Sequence, residues 1–218
     1  MARHPRSRRS RDLRRRRGNR PPYDRVLIVC EGLKTEPYYF GEIRQKAKIP
    51  SAYIYVVPSG MGTNPISVVK YAEAVFNDKG KGFERIYAVF DRDDHQDYAN
   101  AIHMAEARNG RLRNEEKQPV TFEAIVSVPC FELWLLLHFL DVRSWMHRDS
   151  VLKQLRNYIS DYEKGMPNLF GMTEPALATA IDRASALKRT NQRIPGEELY
   201  TDVHELVDRL NSSLKLDV

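Results

Sequence analysis

The chain has 218 residues, enough for one fair-sized core with at most a small added lobe. With 42% hydrophobic and 29% charged residues it has the balance of a globular protein, not of a fibrous or wholly disordered one. The longest apolar stretch, Trp134 to Leu140, is broken by His138 and is too short to span a bilayer. The arginine-rich start has no apolar core, so it does not read as a secretory signal.

The net charge of +6 hides an asymmetry. Residues 1–20 hold ten arginines against one acid, Asp12, a net of +9; the other 198 residues hold 25 basic and 28 acidic groups, a net of −3. A block of like charge with almost no apolar residues cannot bury enough surface to fold, so residues 1–20 are expected to be a disordered tail. Its densest part, Arg14, Arg15, Arg16 and Arg17, is expected to touch nucleic-acid phosphates. The plainer role is a solubilising tail. Cys30 and Cys130 each sit in an apolar run and are expected to be reduced core thiols, which suits the cytoplasm. No Cys/His cluster has zinc spacing.

Taken in order, residues 25–30 (RVLIVC) read as a buried strand. A loop over 31–36 contains Gly32, and Pro37 suits the first turn of a helix running to about Lys48. Residues 52–57 (AYIYVV) read as a second strand, followed by a loop with Gly60 and Gly62. Asn64 and Pro65 then look like the N-cap and first residue of a helix to about Phe76. A third strand, 85–90 (RIYAVF), stops at an acidic cluster. A helix near 95–113 and a strand over 121–128 follow. After Pro129 the pattern predicts only helices, near 130–140, 148–164, 174–189 and 201–211, with Thr173 and Thr201 as N-caps. Strand and helix alternate, which predicts a parallel sheet with right-handed crossovers and a ligand site at the strands' carboxyl ends. The division expected is a tail over 1–20, an α/β core over 21–128 and a helical portion over 129–218 packed on it.

Both acidic motifs fall at such strand ends. Glu31 follows the first strand; Asp91, Asp93 and Asp94 follow the third. In an extended strand end, Asp91 and Asp93 would point to one side and Arg92 away from it. Mg²⁺ or Mn²⁺ takes oxygen ligands, usually one or two carboxylates with water and phosphate filling the rest. Phosphodiester chemistry needs a metal to hold the phosphate and a neighbouring group to move protons. A lone Asp-x-Asp is more often a loop or a helix cap, but its pairing with Glu31-Gly32 in this order favours a site.

The segments VLIVCEGLKTEPYYF and IYAVFDRDDH resemble the Toprim domain of topoisomerases, bacterial primases, recombination mediators and OLD-family nucleases. With PCFELWLLLHF at 129–139 and the late TDVHELVDRL, the chain resembles the RloB-like, or AbiLii-like, family over roughly residues 22–215. The resemblance implies an α/β fold with a Toprim-type, mostly parallel sheet flanked by helices and a C-terminal helical extension. It implies Glu31 as general acid/base or metal ligand, Asp91 and Asp93 as a metal pair, and Gly32 as the glycine that lets backbone approach the phosphate. Glu36 resembles a second acid of the OLD-family nucleases at a spacing one residue longer, so a second metal stays open. The implied activity is an Mg²⁺- or Mn²⁺-dependent endonuclease of an anti-phage defence system. It would cut DNA or RNA, tRNA included, and work with an ATPase encoded alongside. Its rivals are a Toprim module that binds nucleic acid without cutting it, and an assembly subunit held by that ATPase.

Other residues carry weaker signals. Lys34, beside Glu31, is a candidate phosphate contact or a plain loop lysine. Glu132 lies at a helix start after a strand and is a candidate further ligand. His95 is a candidate neighbour of the acids, while His138 reads as a hydrogen-bonded core histidine. Lys188, Arg189 and Arg193 default to surface ion pairs, with a phosphate path as the sharper reading. His204 has no mechanism attached.

Overall fold

The computed structural model describes residues 24–51, 53–60, 64–191 and 198–212. The tail with Arg14, Arg15, Arg16 and Arg17, together with Gly62 and Arg193, lies outside the described residues.

All five side chains of β1 (Val26–Cys30) are buried, because the strand is central and covered on both faces. It pairs in parallel with β2 (Ile54–Pro58) on one side and β3 (Arg85–Asp91) on the other, and β3 pairs in parallel with β4 (Thr121–Val128). The alternation of side chains splits the core in two. Leu27, Val29, Ile86 and Phe90 face α2 (Pro65–Asp78) and α3 (Tyr98–Glu106). Ile28, Cys30, Tyr87 and Val89 face the opposite layer, which contains α1 (Thr35–Lys46) and the helices after Pro129. Asn64 caps α2 as expected: its side chain accepts hydrogen bonds from the Ile66 and Ser67 N–H groups at 2.9 and 3.4 Å, and Pro65 opens the helix.

The later part departs from the expected pattern. It forms α4 (Glu132–Leu137), α5 (Arg148–Arg156), α6 (Leu169–Thr173), a 3₁₀ turn (Glu174–Ala176), α7 (Leu177–Thr190), β5 (Tyr200–Thr201) and α8 (Val203–Ser212). The sheet order is β2-β1-β3-β4-β5, with β5 antiparallel at the edge. So residues after 129 also add a strand, too short to show a period. Thr201 sits in it; its hydroxyl meets Ser127 Oγ at 3.1 Å and accepts from Val203 N–H at 3.2 Å. Thr173 stands at the N-cap position of the 3₁₀ turn but makes no side-chain capping bond: it also ends α6, and its hydroxyl donates to the Leu169 carbonyl at 2.8 Å. The helix expected over 95–113 is confined to 98–106, because Asn109 and Gly110 turn the chain toward β4; the Asn109 side chain accepts from Phe122 N–H at 3.1 Å. The helix expected over 148–164 stops at Arg156, and left-handed Asp161 and Gly165 steer the following loop back over α1 and α4.

The two portions expected over 21–128 and 129–218 share one apolar cluster. Tyr39 and Phe40 of α1 pack with Phe131, Trp134 and Leu206, and the Trp134 indole N–H donates to the Tyr39 hydroxyl at 2.9 Å. Cys30 and Cys130 are both buried free thiols, as expected. Among the described residues no helix is long and apolar enough to cross a membrane.

Candidate metal centre

After β1 the chain moves to β2 on one side; after β2 it moves to β3 on the other. A parallel sheet that reverses in this way leaves a crevice at the carboxyl ends of the two diverging strands. Glu31 stands there, one residue past β1. Its N–H donates to the Val89 carbonyl at 2.9 Å, continuing the ladder, and its Oε2 accepts the Asp91 N–H at 2.9 Å. One carboxylate thus ties together the ends of β1 and β3.

Asp91 and Asp93 both line the resulting cleft, but not by the expected strand alternation. The Arg92 N–H donates to the Ser127 carbonyl and the Asp93 N–H to the Pro129 carbonyl, and Asp93 has φ +39°. A left-handed turn, not an extended end, swings Asp93 over the crevice. Asp93 Oδ2 accepts from Arg148 Nη1 at 2.5 Å, while its Oδ1 is buried with no hydrogen-bond partner. His95 Nε2 lies 3.7 Å from Glu31 Oε1. One ligand atom each from Glu31, Asp93 and His95 lie within 4.8 Å of one another.

Two further acids enter from helix starts. Glu36, in the first turn of α1, folds its carboxylate over Gly32: a Cβ at Gly32 would come within 2.0 Å of Glu36 Oε2. Glu132 opens α4 and is 2% exposed; its Oε1 accepts from the Tyr162 hydroxyl at 3.1 Å and lies 3.8 Å from Lys164 Nζ. Glu31, Asp91, Asp93, Glu36 and Glu132 all line one open cleft of about 610 Å³. Lys34, Arg148 and Lys164 line it too. Lys34 is exposed, with its stem packed against Gly165.

The electrostatics follow from crowding like charges in a desolvated place. Burial, opposed by the Asp91 N–H and reinforced by the charges of Asp93 and Glu36, pushes the Glu31 carboxyl up to about 7. Burial and then the charges of Glu36 and Glu132 hold Asp91 well above the usual carboxylate range. Glu36 is raised by burial and by Glu132, and Asp93 by burial against the opposing pull of Arg148. With Asp94, which also lines it, six acids in one cleft form a donor set of hard oxygens, and the unsatisfied Asp93 Oδ1 is an orphan that a cation would satisfy. The set could hold a metal ion.

Of the other residues weighed from the sequence, His138 is a core histidine: its Nδ1 meets the Trp134 carbonyl at 2.9 Å, and burial lowers it to about 4. Lys188 follows its default, pairing with Asp202 at 2.9 Å and Glu205 at 2.5 Å far along the chain from the cleft residues. Arg189 is exposed on the same helix, and neither lines the cleft. His204 is buried, with Nδ1 3.0 Å from the Thr201 carbonyl. Sequence reasoning missed Arg148, Tyr162 and Lys164. Nothing in their local pattern marks them: one opens a helix, and the others lie in a loop that periodicity read as helix.

No curated protein and no solved structure shows significant similarity to the chain. A family model described as RloB-like protein matches residues 26–210, which takes in the strand-end acids, the helices that supply Glu36 and Glu132, and the late β5–α8 segment; the chain belongs to the RloB-like family.

Proposed function

We propose that the chain is a Toprim-type, metal-dependent nuclease that cuts DNA or RNA phosphodiesters. In this reading it is the effector of a bacterial anti-phage defence system under the control of an ATPase partner. The observation that carries the reading is the convergence of Glu31, Asp91, Asp93, Glu36 and Glu132 on one cleft that also contains Lys34, Arg148 and Lys164. Acids alone would suit any cation store; acids with a cationic rim suit a metal ion beside a phosphate.

Glu31, Asp91 and Asp93 would hold Mg²⁺ or Mn²⁺ with His95 beside them; ligand atoms of Glu31, Asp93 and His95 already lie together, and the Asp91 N–H fixes the Glu31 carboxylate. The ion would supply charge stabilisation at a non-bridging phosphate oxygen. Lys34 and Lys164 present flexible ammonium groups that can bind and orient the phosphate. Arg148 offers a planar fork once its pairing with Asp93 is shared with a ligand. Glu31, raised toward neutrality by burial, is placed to take or return a proton at its carboxylate. Phe131, which also lines the cleft, gives it an apolar wall. The residues of the tail, Arg14 to Arg17, would contribute phosphate contacts outside the cleft.

One observation favours the rival of a binding or assembly subunit that does not cut: Arg148 already neutralises Asp93. The two readings separate on a single assay. Purified chain is incubated with plasmid DNA, total RNA and tRNA in Mg²⁺ or Mn²⁺, beside Asp91→Ala. The expected result is metal-dependent cleavage of at least one substrate by the wild type and none by the variant. In chelator, Asp91→Ala should melt no lower than wild type, because the change relieves repulsion among acids. Cleavage by Asp91→Ala at the wild-type rate would end the nuclease reading.

A further inference from the structure

A second, smaller pocket of about 120 Å³ opens beside the acidic cleft, and Asp93, Asp94 and Arg148 line both. Val128 and Pro129 contribute apolar surface to it, and Arg92, His147 and Trp145 complete it. Trp145 lies in the irregular stretch between α4 and α5 and is 46% exposed. The His147 ring lies 6.4 Å away between centroids and is tilted by 60°, so the imidazole does not lie flat on the indole. His147 is itself held in place, its Nδ1 accepting the Asp149 N–H at 3.3 Å. The other tryptophan, Trp134, is fully buried.

An indole left half in solvent beside two guanidinium groups is what a planar, phosphate-bearing heterocycle requires. The ring offers a stacking face, Val128 and Pro129 a dry wall, and Arg92 and Arg148 two guanidinium groups set among the carboxylates of Asp93 and Asp94. A base inside a duplex has both faces stacked and cannot reach a pocket this small; an unpaired base can. The shared wall fixes the order of the pieces. A nucleotide whose base sits against Trp145 passes its sugar-phosphate across Arg148 toward the acids.

We propose that this pocket seats one unpaired nucleobase, so that the protein selects single-stranded over double-stranded nucleic acid. The proposal rests on the nuclease reading for the identity of the chain in the cleft. It is tested on the full chain without catalysis, in chelator and again in Ca²⁺, with ligand integrity checked on a gel. Tryptophan fluorescence and anisotropy are followed with a single-stranded oligonucleotide, its blunt duplex and inorganic polyphosphate, for wild type, Trp145→Ala and Trp145→Phe.

The single strand should quench wild-type fluorescence, while polyphosphate should not. Trp145→Ala should bind the single strand on the order of 5- to 100-fold more weakly, and Trp145→Phe should stay near wild type. An exposed position should leave both variants folded, which a melting curve checks. The proposal is overturned if wild type fails to bind the single strand, if Trp145→Ala binds it as tightly as wild type, or if duplex binds equally well. Binding of this kind without cleavage in Mg²⁺ or Mn²⁺ would keep the base pocket and remove the nuclease reading. Cleavage with no role for Trp145 would do the reverse.

Discussion

Gly32 and Glu36 act as a pair. The resemblance assigned Gly32 to close approach of a phosphate, yet the nearest thing to its missing Cβ is the Glu36 carboxylate, at 2.0 Å. Glu36 is buried, so it has little room to withdraw. Gly32→Ala should therefore displace Glu36, lower stability by about 1–3 kcal/mol and weaken Mn²⁺ binding measured by calorimetry. Residues in such contact are non-additive. In a Glu36→Ala background the same alanine should cost clearly less, and a fully additive cycle measured by denaturant melts would show that Glu36 does not fill that space. Glu31, Asp91 and Asp93 could be picked from the sequence because a carboxylate directly after an apolar strand is conspicuous. The Gly32–Glu36 contact could not, because it depends on where the first turn of α1 folds back.

Four element ends meet at the cleft: the ends of β1 and β3 and the starts of α1 and α4. Each contributes buried acid, and the fold accepts the repulsion. This makes stability depend on pH in a definite direction. An unfolded glutamate loses its proton near 4.3, whereas folded Glu31 holds its own up to about 7. Between those values the native state binds the extra proton, so stability falls as pH rises. Asp91, also raised by burial and by the charges of Glu36 and Glu132, works in the same direction. His138, lowered to about 4, works oppositely, but only below its unfolded value near 6.5. In chelator the melting temperature should thus drop from pH 6.5 to pH 8, and Glu31→Gln should flatten the drop. Added Mg²⁺ should restore most of the loss at pH 8, by binding only the native state. A flat profile in chelator would mean that the acids are already compensated within the protein. The parallel strands and α2 were legible because their apolar runs and the Asn64-Pro65 cap are local signals. The loop carrying Tyr162 and Lys164 was not, because its course is set by Asp161 and Gly165 in left-handed conformation and by contacts to α1 and α4.

On the scale of the whole molecule, charge is divided in an unusual way. The first 20 residues carry a net +9 and the remainder −3, and the cleft itself is lined by acids. A polyanion approaching the body alone meets a net negative charge and a cleft in which acids outnumber Lys34, Arg148 and Lys164, whose attraction is short-ranged under physiological screening. The tail is the one segment with enough positive charge to offset this, so it should supply most of the long-range attraction while the cleft supplies position. Each phosphate contact contributes about 0.7 to the slope of log affinity against log salt for a single strand. Ten arginines therefore bound the tail's share at about 7, and partial engagement should give a change of several units. Deleting residues 2–20 should weaken single-strand binding at low salt and flatten this slope. The preference of single strand over duplex, which belongs to the Trp145 pocket, should survive the deletion. Anisotropy titrations from 50 to about 300 mM salt on both chains check this. An unchanged slope would assign the phosphate contacts to Lys34, Arg148 and Lys164 and leave the tail a solubilising segment.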